Sequence, residues 1–350
     1  MKTEGVRIAI HPRQGSFSDR WIERCEAAGI DHVIVDGYSS AIMDALRGCD
    51  AFFWHFNHDN PTDLLMARHV LYAAESAGLL IFPNRKTCWH FDDKVAQKYL
   101  LEAVDAPLIP TVVFYEKRTA LGWLSGAQYP VVCKLRAGAH AANVRLLRNV
   151  SEARRFCRRA FGRGLSAVPG YFTDVPSKAR SVKDFSDFRA RMGRLPRLFL
   201  HRMRTRRRAN RERGYVLFQE FIPDNRYDTR VTVIGDRAWA FIRRVRKNDF
   251  RASGSRQIDH DPDKIDARCV RIAFETAGKL GTQCTAFDFV TCSRRGPLIV
   301  EMSYGFAPRP VFDVPGQWSP DLQWHAGHVW PQDAILELLL RNLTSRHAST

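Results

Sequence analysis

Two acidic residues on apolar strands, Asp288 in TAFDFV and Glu301 in PLIVEM, stand out in this 350-residue chain as residues able to share a cation. The linker between them contains Arg295-Gly296, a turn signal, so the two segments read as an antiparallel hairpin. Adjacent strands of that kind bring both carboxylates within reach of one ion. A carboxylate on an apolar strand is costly unless paired or metal-bound, and magnesium suits such a pair because it takes hard oxygen ligands and shares them with phosphates. Taken alone, the pair also reads as two salt-bridged strand carboxylates.

Two lysines extend the pattern. Lys134 ends the apolar strand YPVVCKL and is followed by the small-residue loop RAGAHAAN, while Lys94 lies in the first turn of an earlier helix. Two lysines and a backbone-lined loop would neutralise a triphosphate. The loop is not a Walker A motif, since GxxxxGK[ST] is absent and the lysine precedes the flexible turn. Either lysine by itself reads as an ordinary solvated charge.

The elements that must position these residues follow from the periodicity. VRIAI, HVIVD and AFFWHF are short strands separated by helical patterns at 19–28 and 39–46, continued by a helix at 63–78 and the strand LIFPN, which together read as a small parallel α/β domain. A helix runs over 91–104, then the extended PLIPTVVFY, and Ser151 is expected to cap a helix through Ala160. The strands VLFQEFI, TRVTVIG and AWAFIRRV, a helix over 266–280, and the 288/301 hairpin form a mostly antiparallel sheet closed by the amphipathic tail PQDAILELLLRNL. Expected boundaries are 1–87, 88–164, a basic insertion at 165–213, and 214–350.

In this order the motifs DK at 93–94, PVVCK at 130–134, QEFI at 219–222, AFDF around Asp288 and IVEMS around Glu301 resemble the ATP-grasp superfamily, over nearly the whole chain. The resemblance implies an ATP-grasp fold of mixed α/β (α+β) class: an N-terminal parallel domain, a small central lid domain and a C-terminal antiparallel-sheet domain. It implies ATP phosphates at Lys94 and Lys134, a mobile lid from Gly138 to Ala142, adenine read by the backbone of Glu220 and Ile222, and ribose held by Asp228. Two magnesium ions would be bound by Asp288, Glu301 and Ser303, where the family's usual asparagine is replaced by serine. The segment YDTRVTVIGDRAWAFIRRVRKNDFRASGS is similar to the subgroup of glutamate-adding ribosomal-protein ligases, which places Arg230 and Arg251 at the reacting phosphoryl group. A planar guanidinium can bridge that group in a fork.

The activity so implied is an ATP-dependent carboxylate-amine ligase: a carboxylate takes the γ-phosphoryl group, ADP leaves, and an amine displaces phosphate from the acyl phosphate. Acceptor contacts are expected from Trp54, His55, Asn57 and His58, at the end of a parallel strand, and from Tyr304 and Arg309. The tail LQWHAGHVWPQDAILELLL resembles ATP-grasp proteins of bacterial surface-polysaccharide clusters, which implies a uronic acid or sugar-linked carboxylate joined to an amino acid. His325 and His328 lack a third ligand and read as structural. An ATP-grasp kinase and a non-catalytic ATP-binding relative are the alternatives within the fold.

Composition bounds the partners. Lys and Arg number 54 against 37 Asp and Glu, a net charge of +17, and the stretch 178–213 carries 14 basic and 3 acidic residues. That excess favours an acidic partner, either an anionic membrane surface or an acidic polymer, whereas nucleic acid is disfavoured because stacking aromatics are not interleaved with the arginines. The eight cysteines form no CxxC pair and read as buried thiols. With no apolar stretch long enough to cross a membrane and no cleavable leader, a cytoplasmic protein is expected, peripheral at the inner membrane face if the basic stretch binds lipid.

Overall fold

The computed structural model describes residues 5–57, 60–138, 143–166, 211–246, 251–252 and 257–347. The expectations placed on His58, on the tip of the glycine loop at 139–142, on most of the basic insertion and on residues 247–250 of the NDFR loop lie outside them. The described residues divide into two compact units: Met1–Phe91, Tyr99–Leu108 and Asp224–Thr350 in the first, Asp92–Lys98 and Ile109–Pro223 in the second.

The first unit opens with a four-stranded parallel sheet in the order β2-β1-β3-β4, built from β1 (Ile8–Ile10), β2 (His32–Ile34), β3 (Ala51–Phe53) and β4 (Leu80–Phe82). Three of its strands, β1, β3 and the edge strand β4, are fully buried apolar runs, as a sheet covered on both faces requires. The crossover helices are α1 (Phe17–Ala28), capped by Ser16 and closed by left-handed Gly29, the single-turn α2 (Ile42–Ala45), and α3 (Pro61–Ser76), capped by Asn60. After α4 (Arg85–Cys88) comes α5 (Lys94–Ala103), whose first N–H groups at Val95 and Ala96 are taken by Asp93.

The second unit holds an antiparallel sheet in the order β5-β10-β6-β7. Its strands are β5 (Thr111–Phe114), β6 (Val131–Lys134), β7 (Val144–Leu147) and β10 (Val216–Glu220). Helices α6 (Lys117–Gly126) and α7 (Val150–Phe161) cover one face around Leu124, Phe156 and Phe218. The cap of α7 is Asn149, whose side chain accepts from the Glu152 N–H, and not Ser151; the helix begins two residues before the sequence suggested. A short pair, β8 (Leu165–Ser166) with β9 (Arg211–Glu212), also belongs to this unit.

The rest of the first unit is a seven-stranded antiparallel sheet: β11 (Tyr227–Ile234), β12 (Arg237–Arg244), β13 (Ile258–Asp259), β14 (Cys284–Cys292), β15 (Gly296–Ser303), β16 (Gly316–Trp318) and β17 (Trp324–Ala326). The Gly235-Asp236 turn joins β11 to β12 with Ile234 opposite Arg237, so each residue of β11 has a fixed partner on β12. Alternate residues take opposite faces. Val231, Val233, Ala238, Ala240 and Phe287 face α8 (Ala267–Leu280), which Asp266 caps and left-handed Gly281 ends. Ile234, Trp239 and Cys284 join the core of the parallel sheet together with α10 (Pro331–His347), the closing helix read from the tail; α9 (Pro308–Phe312) precedes it. Six of the eight cysteines are buried, and burial raises thiols such as Cys133 and Cys269 to about 12.

Candidate functional site

The functional face of the first unit starts from register. Arg230 on β11 lies opposite Asp288 on β14, Asp288 lies opposite Glu301 on β15, and Asp228 lies opposite Arg243 on β12. Partners in register share a face, as do residues two apart, so all five charged side chains stand on one side of the sheet. The register shifts by one residue between Asp288 and Phe289, so Phe289 faces Ile299 while Asp288 still faces Glu301. A bulge at this point increases local twist and aims side chains.

The salt links are specific. Arg230 donates from Nε and Nη2 to the two oxygens of Asp288 at 2.7 and 2.8 Å. Arg243 grips Asp228 in the same bidentate way at 2.7 and 2.6 Å, and its Nη2 also reaches Asp288 at 2.7 Å. Burial pushes Asp288 up, but the two guanidinium groups outweigh it and hold this carboxyl well below the usual carboxylate range. Asp228 receives only one arginine, so burial prevails there and its pKa is raised. Burial likewise disfavours the Arg243 cation, and the two carboxylates more than restore it.

In the second unit both lysines are buried, at 7 % exposure for Lys94 and 6 % for Lys134, so neither is the solvated charge it would be on an open surface. Lys94 donates to the Gly138 carbonyl at 2.7 Å, and the Gly138 N–H donates to Asp92 at 2.7 Å. The base of the glycine loop is thereby held from both sides by the turn that begins α5. Gly138 has φ +119°, and a Cβ there would lie 2.1 Å from the Asn143 side chain, whose amide donates to the Ala137 carbonyl. Glycine is required at this position for conformation and for space. In the QEFI hinge the Glu220 N–H goes to the Pro110 carbonyl at 2.9 Å, so this donor is already used.

Several expected residues have other duties. Ser303 donates its hydroxyl to the Gly305 carbonyl at 2.9 Å and accepts from the Gly305 N–H at 3.1 Å, which commits it to the turn after β15. Tyr304 is 0 % exposed and its hydroxyl donates to the Phe56 carbonyl, so it is a core residue and not a pocket wall. Asp228, expected at a ribose, is gripped by Arg243, and Arg230 is occupied by Asp288. His55 is buried against Phe17 at 3.7 Å between ring centroids and accepts from the Phe17 N–H. Arg309 is exposed, paired with Asp313 at 2.7 Å and lying over Phe312. His325 and His328 have local partners in Ser319 and the Phe312 carbonyl.

Arg243 went unread in the sequence, because RRV offers no sign of which arginine turns inward. Counting back from the Gly235-Asp236 turn pairs it with Asp228, and that register was the available signal. Among the described residues no group of three or more His, Cys, Asp or Glu is placed to hold an ion. Asp288 and Glu301 are cross-strand partners on this face, with both Asp288 oxygens held by Arg230 and Arg243.

Residues 203–305 match a family model described as RimK-like ATP-grasp domain. The chain is 22% identical over 256 residues to the alpha-aminoadipate–LysW ligase LysX of Saccharolobus solfataricus, covering 71% of this chain and 77% of that protein. A RimK domain ATP-grasp protein from Sphaerobacter thermophilus superposes with a TM-score of 0.53 at 18% identity, over 97% of this chain and 100% of the other. The biotin carboxylase domain of the 2-oxoglutarate carboxylase of Hydrogenobacter thermophilus, solved with magnesium-ADP and bicarbonate, gives 0.56 at 16% identity, over 97% and 69%. The fold is thus that of ATP-grasp proteins, with a parallel N-terminal sheet and antiparallel sheets elsewhere.

Proposed function

We propose, from the premise that residues 203–305 form a RimK-like ATP-grasp domain, that this chain is an ATP-dependent ligase joining a carboxylate to an amine. The observation that carries the reading is the cross-strand pair Asp288 and Glu301, with Arg230 and Arg243 set against Asp288 on one sheet face. Carboxylates, guanidinium forks and buried lysines are what charge migration over a triphosphate requires.

In this mechanism a substrate carboxylate oxygen attacks the γ-phosphorus of ATP, the bond to the β,γ-bridging oxygen breaks, and ADP departs. The amine then attacks the acyl carbon, phosphate leaves with the C–O bonding pair, and the amine loses a proton as the amide forms. Lys94 and Lys134 serve the phosphate oxygens. Magnesium held by Asp288 and Glu301 would neutralise phosphate charge. Of the two ions expected, one is assigned to this pair, and Ser303 contributes to a second only if its turn opens. Arg230 spans two tasks, the grip on Asp288 and the reacting phosphoryl group, and Arg251 is assigned to the same group.

The carboxylate and the amine are read as amino acids or their derivatives. The name of the LysX relative contains an amino acid, which favours that class over a uronic acid. For the basic segment, an acidic polymer is the better partner: a cavity of about 310 Å³ in the second unit is lined by Arg136, Arg211 and Arg213 with Val95, Tyr115 and Tyr215, three cations against the one acid Glu212. Arg211→Ala with Arg213→Ala should weaken retention of the chain on immobilised polyglutamate, and unchanged retention sinks that partner.

The test is ADP release across candidate acids crossed with amines. ADP and free phosphate are expected only with both present, and Glu301→Ala should abolish release while the far-ultraviolet circular dichroism stays unchanged. Retained turnover in Glu301→Ala overturns the metal assignment. A phosphorylated product from one substrate overturns the ligase reading in favour of a kinase.

A further inference from the structure

Beyond Lys134 the pairing of β6 with β10 stops, and a side chain takes over from the ladder. Leu217 on β10 lies opposite Lys134, so the antiparallel register would set Tyr215 against Arg136 two residues on. The backbones part before that pair is made, since β6 ends at Lys134 and β10 begins at Val216. The Arg136 N–H donates instead to the Tyr215 hydroxyl at 2.6 Å, and the phenol ring spans the gap. The same hydroxyl donates to Glu212 at 2.8 Å. Burial pushes the Tyr215 phenol up, so the group stays protonated at neutral pH and can donate and accept at once.

Arg136 is held through main chain and side chain together. Its carbonyl accepts from the Lys94 N–H at 2.9 Å, its Nη1 lies 3.1 Å from Asp93 and its Nε lies 3.6 Å from Glu212. Two residues further on, Gly138 gives its N–H to Asp92 and its carbonyl to the Lys94 ammonium. Arg136 therefore stands midway between Lys134 and Gly138, two of the residues assigned to the ATP phosphates. Lys94, Asp92 and Asp93 approach this stretch from the turn that begins α5. The Tyr215 hydroxyl reaches it from the β10 side. Without that hydroxyl the Arg136 N–H loses its protein acceptor, but the Arg136 side chain is about half exposed, so water can take the bond. The cost then falls on where the stretch sits and little on whether the chain folds.

We propose that Tyr215 is a positioning residue of the nucleotide site: through the Arg136 main chain it sets the course of residues 134–138, and so the affinity for the ATP phosphates. The role rests on the ATP-dependent reading. Contacts made alike to bound ATP and to the transition state change KM and leave kcat alone, which gives the role a signature that loss of packing does not share.

The test is Tyr215→Phe in the full chain, which keeps the ring and removes only the hydroxyl. Without nucleotide its Tm should be nearly that of wild type, while amide hydrogen exchange in a peptide covering residues 135–138 should be faster. The Kd for magnesium-ATP and the KM for ATP should both rise roughly threefold to tenfold, the range that one hydrogen bond supplies, with kcat and the KM values of acid and amine unchanged. Exchange and Kd equal to those of wild type overturn the proposal. A lowered Tm with kcat and every KM altered together also overturns it, since the hydroxyl would then serve packing alone. Wild type that fails to bind magnesium-ATP removes the ATP reading and this role with it, whereas binding by wild type that Tyr215→Phe leaves as tight removes the role alone.

Discussion

Arg243 carries two carboxylates on one guanidinium, with Asp228 gripped through both oxygens and Asp288 reached from the same Nη2. Removing one partner of such a buried set strands an ion in low dielectric, which typically costs about 3–5 kcal/mol. Arg243→Met is therefore expected to lose roughly that much in urea unfolding, and Asp228→Asn in the same background should restore a good part of it. An equal loss in the single and double variants would show that packing, and not the stranded charge, sets the cost. Arg230 gives a pH signature. Asp288 has a folded pKa below its unfolded value, so its ionised form contributes stability that is present above about pH 4 and lost as pH falls through the folded pKa. Arg230→Gln removes one of the two guanidinium groups that hold it there. The stability gap between wild type and Arg230→Gln should be widest above pH 4 and narrow on acidification; a gap independent of pH contradicts the assignment.

The loop after β6 is the element whose geometry most depends on one residue. Gly138 combines φ +119° with a Cβ position 2.1 Å from Asn143, and its two main-chain groups are held by Lys94 and Asp92. Gly138→Ala forces a strained backbone or displaces Asn143, at a cost of about 1–3 kcal/mol. If the loop closes over phosphates, ADP release should fall roughly tenfold or more, with most of the change in the KM for ATP; unchanged kinetics would remove the loop from the site. What was legible in the sequence has the same origin. The pairing of Asp288 with Glu301 could be read because a tight turn fixes register locally, and the parallel sheet because its strands are short apolar runs between helices. Helix α6 escaped notice because KRTALGWLSG buries only Ala120 and Leu124. The bonds of Ser303 and Tyr304 are not legible for a different reason: the chain leaves β15 into a turn and a core whose partners, Gly305 and Phe56, no local pattern announces. The burial of Lys94 and Lys134 was equally invisible, since it depends on β7, β10 and the loop base.

At the scale of the whole molecule, the residues assigned to a nucleotide under the proposed reading come from both units of the chain. Lys94, Lys134 and Gly138 belong to one, Asp288, Glu301, Arg230 and Arg243 to the other. Under that reading the lysines act on phosphate alone and the carboxylates only through a cation. This division makes the energetic signature of binding separable. A ligand at a hundredfold excess over its Kd stabilises the native state by about 2.7 kcal/mol, which a melting experiment on the full chain reads directly. Magnesium with ATP should raise Tm most, ATP with EDTA less, and magnesium chloride alone scarcely at all, because Asp288 is already satisfied by two arginines. Glu301→Gln should bring the magnesium-ATP shift down to the EDTA level and leave the EDTA value unchanged, whereas Lys134→Ala should lower both. If ATP with EDTA stabilises wild type as strongly as magnesium-ATP, the carboxylate pair takes no part in nucleotide binding. The pair would then be the other reading its sequence allows, two salt-bridged strand carboxylates.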